Sequence, residues 1–301
     1  MDLTLKGTPL RAVAPQELSA DRLGALKDLP GFWEGTGFSL IARPDRKSPS
    51  GFFLQLNLLR ETTEFTSIGS PVFNRGSVQD DIAIYGLTYL HRVTDALTGG
   101  ALHIEPGMWL NIPATTDPKA DASIARLATI PHGDAVSTVG FVEYAVYDRI
   151  PEIPPANTIP FNIGGQPPAV GTVNPFERYD LTIPSRFRST SLPSAISQLI
   201  VSDPNQVLRD TLNSQVLTEG KTLKSITRLI TSTQDVGGIE NIPFITKNAE
   251  AVSLDSVFAI EVVANGEGRE FLQLQYSQTS ILIFGGLSYP HVTVGTLVKA
   301  F

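Results

Sequence analysis

Apolar and polar side chains alternate in step along much of the chain. Phe53-Leu54-Gln55-Leu56-Asn57-Leu58 is the clearest run, with leucines on one parity and amides on the other. A period of two sends successive side chains to opposite faces, so this run predicts a strand with one apolar and one polar face. Similar texture opens over 31–60 and continues over 77–93, Ala101–Ile112, Ser123–Ile130 and 136–147, rich in Ile, Val, Thr and Tyr. It resumes at 225–233, 251–263, Glu270–Phe284 and 291–298. Thr98-Gly99-Gly100 and Gly285-Gly286 read as turns between neighbouring strands.

Two segments depart from that period. Over 16–29, Ser19 as cap, Asp21 in the first turn and Leu23, Leu26 and Leu29 at helical spacing predict a short helix that Pro30 stops. Over about 150–225, Pro151, Pro154, Pro155, Pro160, Pro167, Pro168 and Pro175 remove ladder donors and predict an irregular crossing. A short helix over 192–201 follows it. Then Asp203-Pro204 opens a second helix carrying Val207, Leu208, Leu212, Val216 and Leu217, which Gly220 ends. The expectation is one domain over 1–301. It is all-β, a roughly ten-stranded antiparallel calycin-like barrel with its first and last strands paired. The Pro-rich and helical insertion serves as a lid, a dimerisation arm or a cover for one barrel end. A division into two small domains is disfavoured because the insertion carries few core signals.

Composition narrows the function. The chain has 301 residues, 42% of them hydrophobic, and no cysteine. Disulfides, thiolate nucleophiles and cysteine-held metals are thereby excluded. A net charge of −7 without a basic stripe argues against a nucleic-acid surface and against anionic membranes. No run approaches the ~18 apolar residues of a membrane span, and residues 1–11 lack the apolar core of a secretory signal. A soluble, cytoplasmic protein is expected. No G-x-S-x-G, P-loop, HExxH or dinucleotide fingerprint is present.

Four stretches in order resemble nitrobindin, the heme-binding β-barrel family similar to fatty-acid-binding proteins. Gly31-Phe32-Trp33-Glu34-Gly35-Thr36-Gly37 resembles its opening G-x-W-x-G-x-G strand. Leu102-His103-Ile104-Glu105-Pro106-Gly107-Met108-Trp109 is similar to its L-H-x-E-[ST]-G-[FY]-W strand. Leu127-Ala128-Thr129-Ile130-Pro131-His132-Gly133 looks like its A-x-P-x-G turn, and Leu287 to Val294 is placed like its closing L-x-x-H-L-x-A strand. The resemblance covers roughly half the chain and has no counterpart for the insertion. It implies heme at one open barrel end with His291 as the ligand of the iron, and reactivity toward small nitrogen or oxygen species.

The residues themselves leave alternatives open. His291 shares parity with Thr293 and Lys299, opposite Val292, Val294 and Val298, which suggests a solvent-facing or rim position. His91 and His103 are expected to face each other across a hairpin with Glu105 beside them, as a hydrogen-bonded pair or a Zn or Fe site. Glu105, Trp109 and Arg126 are candidate lining residues, and His132 is a turn residue. Glu61, Glu64, Asp80 and Asp81 are read as acidic loop groups in water, with a general acid or base among them as the sharper alternative. A heme-free carrier of a hydrophobic metabolite, its polar contacts from Gln55, Asn57, Gln273 and Gln275, is one further reading. A barrel isomerase or cyclase using Glu105 or His103 is another. The expected partners are heme or a small hydrophobic molecule, with a homodimer as a further option.

Overall fold

Gly285 and Gly286 take φ of +56° and +84°. Two successive left-handed residues make the tight turn whose twist matches a right-handed hairpin. They join the last two strands of a closed ten-stranded antiparallel barrel. The computed structural model describes residues 21–147, 149–169 and 171–300. Its barrel strands are β1 (Gly31–Pro44), β2 (Phe52–Ser67), β3 (Ile82–Asp95), β4 (Ala101–Ile112) and β5 (Ser123–Ile130). They continue as β6 (Asp134–Val146), β7 (Thr222–Asn241), β8 (Glu250–Ala264), β9 (Glu270–Phe284) and β10 (Leu287–Lys299). Each pairs with the next, and β10 returns to β1 with Trp33 opposite Lys299 and Leu40 opposite Val292. The expected closure by first and last strands is therefore present, and no sheet edge of the barrel is left open.

Several boundaries differ from the pattern for local reasons. β3 begins at Ile82, because residues 75–81 form a turn in which Asp81 takes the Arg75 guanidinium and the Gly76 N–H. β7 runs eight residues past the sequence signal. Gly237 at φ +104° lets the strand shift register after Ser232 and keep pairing with β6. Of the helix expected over 16–29, residues 21–23 are helical and Gly24–Leu26 is a 3-10 turn; its start, with Ser19, lies outside the described residues.

One half of the barrel is solid. Trp33, Phe65, Leu87, Trp109, Ile124, Leu229, Phe258, Ile260, Leu274 and Leu297 meet inside it, and Leu23, Leu26 and Leu29 plug that end. The Trp33 indole donates to the Leu29 carbonyl at 2.7 Å, which ties plug to wall.

The insertion between β6 and β7 carries α1 (Gln198–Ser202), α2 (Gln206–Asn213) and a closing π turn (Ser214–Thr218). It packs against the outside of the wall and does not enter or cap the barrel. Tyr179, Ile196, Val201 and Leu208 cover Phe38, Leu40, Phe52, Leu54, Leu56, Val292 and Val294, the outward residues of β1, β2 and β10. The expectation of an end cover is corrected accordingly. The leucine parity of β2 is apolar because a second layer lies over it, each fully buried side chain contributing about 1.5–3 kcal/mol.

Candidate functional site

The other half of the barrel is hollow. A cavity of about 440 Å3 opens at the end that carries the β5–β6 turn and α3 (Pro243–Asn248). Ile41, Leu59, Val93, Ile130, Val136 and Leu254 give it apolar walls. All four histidines of the chain line it: His91 from β3, His103 from β4, His132 from the β5–β6 turn and His291 from β10.

Its floor is a charged network. Arg126 on β5 donates Nη2 to Glu105 Oε1 at 2.5 Å, Nη1 to Gln278 at 2.7 Å and Nε to the Tyr89 hydroxyl at 3.0 Å. Tyr89 in turn donates to Glu105. Burial alone would raise the Glu105 pKa. The Arg126 guanidinium, with hydrogen bonds from His103 and Tyr89, outweighs it and holds this carboxyl well below the usual range. Glu105 is thus a fixed anion, unsuited to abstracting protons, and every guanidinium nitrogen of Arg126 is engaged. A second network lies beside it. Glu61 Oε2 accepts from Tyr276 at 2.6 Å and lies 2.9 Å from His91 Nε2. Gly37 and Gly295 make this possible: a Cβ on Gly295 would lie 2.5 Å from the Tyr276 ring, and one on Gly37 2.3 Å from Glu61 Oε1.

Three imidazoles are anchored in the same way. A carboxylate or carbonyl only accepts, so the ring nitrogen facing it carries the proton. His103 Nε2 faces Glu105 at 3.3 Å, His91 Nε2 faces Glu61, and His291 Nε2 donates to the Ala42 carbonyl at 2.7 Å. Burial pushes the His291 pKa down to about 4, against a smaller upward pull from the Ala42 hydrogen bond. It is therefore neutral at pH 7, with the lone pair on Nδ1. No partner among the described residues takes the Nδ1 of these three rings. His91 and His103 have centroids 6.4 Å apart, and His103 stacks on His132 at 5.9 Å.

The expectations fare unevenly. His291 faces the cavity with Thr293, not solvent; Val292 and Val294, on the opposite face, are apolar because the insertion covers them. The expectation that His91 and His103 face each other directly is corrected: His91 pairs with Glu105 and His103 with Val93, beyond a one-residue register slip between Val93 and Thr94. The two-residue offset keeps both histidines on one face. No group of three or more His, Asp or Glu among the described residues is arranged to hold a metal ion. Trp109 lies below the floor, edge-on to Phe258 at 5.3 Å, in the packed half. Glu61 is buried in the barrel rather than in a loop, whereas Glu64 is exposed. Gln55 and Asn57 line the cavity, but Gln273 and Gln275 point outward beneath the insertion. Tyr89, Tyr276 and Gln278 went unread. The sequence signal for the two tyrosines is the facing glycines, Gly107 for Tyr89 and Gly295 for Tyr276, which clear space for their rings; Gln278 has no such signal.

No helix among the described residues is long and apolar enough to cross a membrane. No protein-family model matches the chain, and no curated protein matches it by sequence. Among solved structures it is similar to the crystal structure of Rv2717c from M. tuberculosis, at 15% identity over 92% of this chain and 98% of that one, with a TM-score of 0.42.

Proposed function

We propose that this chain binds a small, largely apolar molecule in the hollow half of its barrel, and that the ligand is an iron porphyrin held through His291. The barrel supplies a cavity in the size range of small-molecule sites, ~300–1,000 Å3. The observation that carries the reading is the state of His291: neutral, oriented by the Ala42 carbonyl, with its second nitrogen free. A ligating histidine commonly donates its other N–H to a carbonyl or carboxylate in this manner. When bound, an iron porphyrin supplies a metal centre able to take small nitrogen or oxygen species. The chain's own part is to orient His291, to keep bulk water from the apolar walls, and to hold His91 and His103 as hydrogen-bonding groups in the same space. A heme-free carrier is the second reading. It is favoured by Gln55 and Asn57, which join Asp95 in a polar cluster on the cavity wall (Gln55 Nε2 to Asn57 Oδ1 2.8 Å).

Titration of purified protein with hemin separates the two. The heme reading expects a saturable Soret shift that His291→Ala weakens by at least about tenfold. No shift, or one indifferent to the substitution, overturns it. Native mass spectrometry that finds a co-purified apolar metabolite in place of porphyrin establishes the carrier.

A further inference from the structure

The insertion creates a second and larger hollow, on the opposite side of the wall. It is a cleft of about 710 Å3 between residues 151–167 and the outer face of β7, β8 and β9. The sheet separates it from the barrel cavity: on β9, Gln278 and Ser280 line the inner hollow, Ser277 and Thr279 the outer.

Three polar groups in the cleft lining are buried. Asn205 donates Nδ2 to the Pro154 carbonyl at 2.7 Å. Gln275 donates Nε2 to the Leu208 carbonyl at 3.2 Å and to the Thr296 hydroxyl at 3.1 Å. Carbonyls only accept, so both amide orientations are fixed. The remaining oxygens, Asn205 Oδ1 and Gln275 Oε1, are buried without a partner among the described residues. A buried acceptor left without a donor keeps its desolvation cost uncompensated. The two sites adjoin, because the Leu208 whose carbonyl Gln275 holds donates its own N–H to the Asn205 carbonyl at 3.1 Å. The third group is Glu261 on β8. Its Oε2 accepts from Gln273 at 2.8 Å, and Gln273 pairs with Gln215 of the π turn. Around Glu261 and along the cleft stand Arg228 from β7, already engaged by Glu143 at 3.6 Å, Asp255 on β8, held by Ser232 and Gln234, and Glu152 from the insertion.

The cleft therefore presents acceptors and acidic groups, with its cation already paired. A purely apolar molecule leaves the acceptors unpaired. We propose that the cleft is a second binding site, for a small aliphatic primary amine whose three ammonium donors are taken by Gln275, Asn205 and Glu261 while its methylenes lie against Leu208 and Ile226. Burial pushes Glu261 up to about 8, with Gln273 and Arg228 pulling down less strongly, so the carboxyl is mostly protonated at pH 7. Amine binding at that pH then releases a proton, and affinity rises with pH through the titration of Glu261.

Calorimetric titration of the whole protein with n-pentylamine, in two buffers of different ionisation heat at pH 7, tests this. The expected result is saturable one-site binding with proton release, about tenfold or more tighter than 1-pentanol. In Glu261→Gln the affinity falls about tenfold and the proton release vanishes. That variant removes a costly buried acid, so its weaker binding is not a loss of fold. No saturable heat up to about 10 mM amine overturns the proposal. So does equal affinity in the variant, or pentanol binding as well as pentylamine.

Discussion

Arg126 and Glu105 set the character of the cavity floor through each other. Both are buried; Arg126 donates to Glu105, Tyr89 and Gln278, and Glu105 is held by Arg126, Tyr89 and His103. A pair of this kind contributes little net stability against an apolar replacement, but removing one member strands a charge. Arg126→Ala is expected to lower stability by about 3–5 kcal/mol in denaturant unfolding, while removing an exposed pair such as Arg75–Asp81 is expected to leave the midpoint nearly unchanged, because water screens it. The glycines opposite the rings carry a comparable demand. Gly295→Val would drive a branched side chain into Tyr276 and is expected to cost about 1–3 kcal/mol, read as a lower urea midpoint at unchanged slope. Histidine chemistry at this site was legible only in part. The L-H-x-E spacing put His103 and Glu105 on one face, yet the face of His291 was misread, since nothing local in Pro290-His291-Val292 reveals a second layer outside the barrel.

Individual strands were legible where an alternating run meets a breaker. Ala101–Ile112, Ser123–Ile130 and Glu270–Phe284 begin and end where their Gly, Pro and Asp neighbours predicted. What alternation cannot supply is which face looks inward. Phe53-Leu54-Gln55-Leu56-Asn57 and Phe271-Leu272-Gln273-Leu274-Gln275 share a pattern and use it oppositely. β2 sends its amides into the cavity and its leucines out under the insertion. β9 sends Leu272 and Leu274 inward and its amides out. The difference lies in α2, which places Leu208 over β1, β2 and β10, and in the π turn after it, which brings Gln215 to Gln273. Leu208→Ala is therefore expected to cost about 2–5 kcal/mol despite lying outside the barrel. Hydrogen exchange in that variant is expected to loosen 192–218 before the strands.

Taken whole, the molecule is a barrel filled at one end, hollow at the other and clad on one side. Two buried titrating groups, one in each hollow, shape its response to pH. His291 is protonated less readily folded than unfolded, so its contribution is complete above pH 6.5 and is lost as pH falls from 6.5 toward 4. Glu261 keeps its proton longer folded than unfolded, so its contribution is complete below pH 4.5 and is lost as pH rises from 4.5 toward 8. Between pH 4.5 and 6.5 the two slopes oppose each other. Above pH 6.5 only the Glu261 loss continues. Thermal unfolding of the wild type is expected to shift down between pH 6.5 and 8 by the equivalent of about 2 kcal/mol, a fall that Glu261→Gln removes. A fall of equal size in both proteins would locate the cause elsewhere.

The hollow half can be closed without touching its histidines. Thr293 lines the cavity two residues from His291 on the same strand face. A tryptophan there occupies the space directly, and far-UV circular dichroism reports whether the barrel is intact. The decisive measurement is hemin affinity by Soret titration in Thr293→Trp beside wild type. A folded variant with affinity reduced at least about tenfold is the predicted result; a folded variant that binds hemin as tightly as wild type contradicts a ligand site inside the barrel.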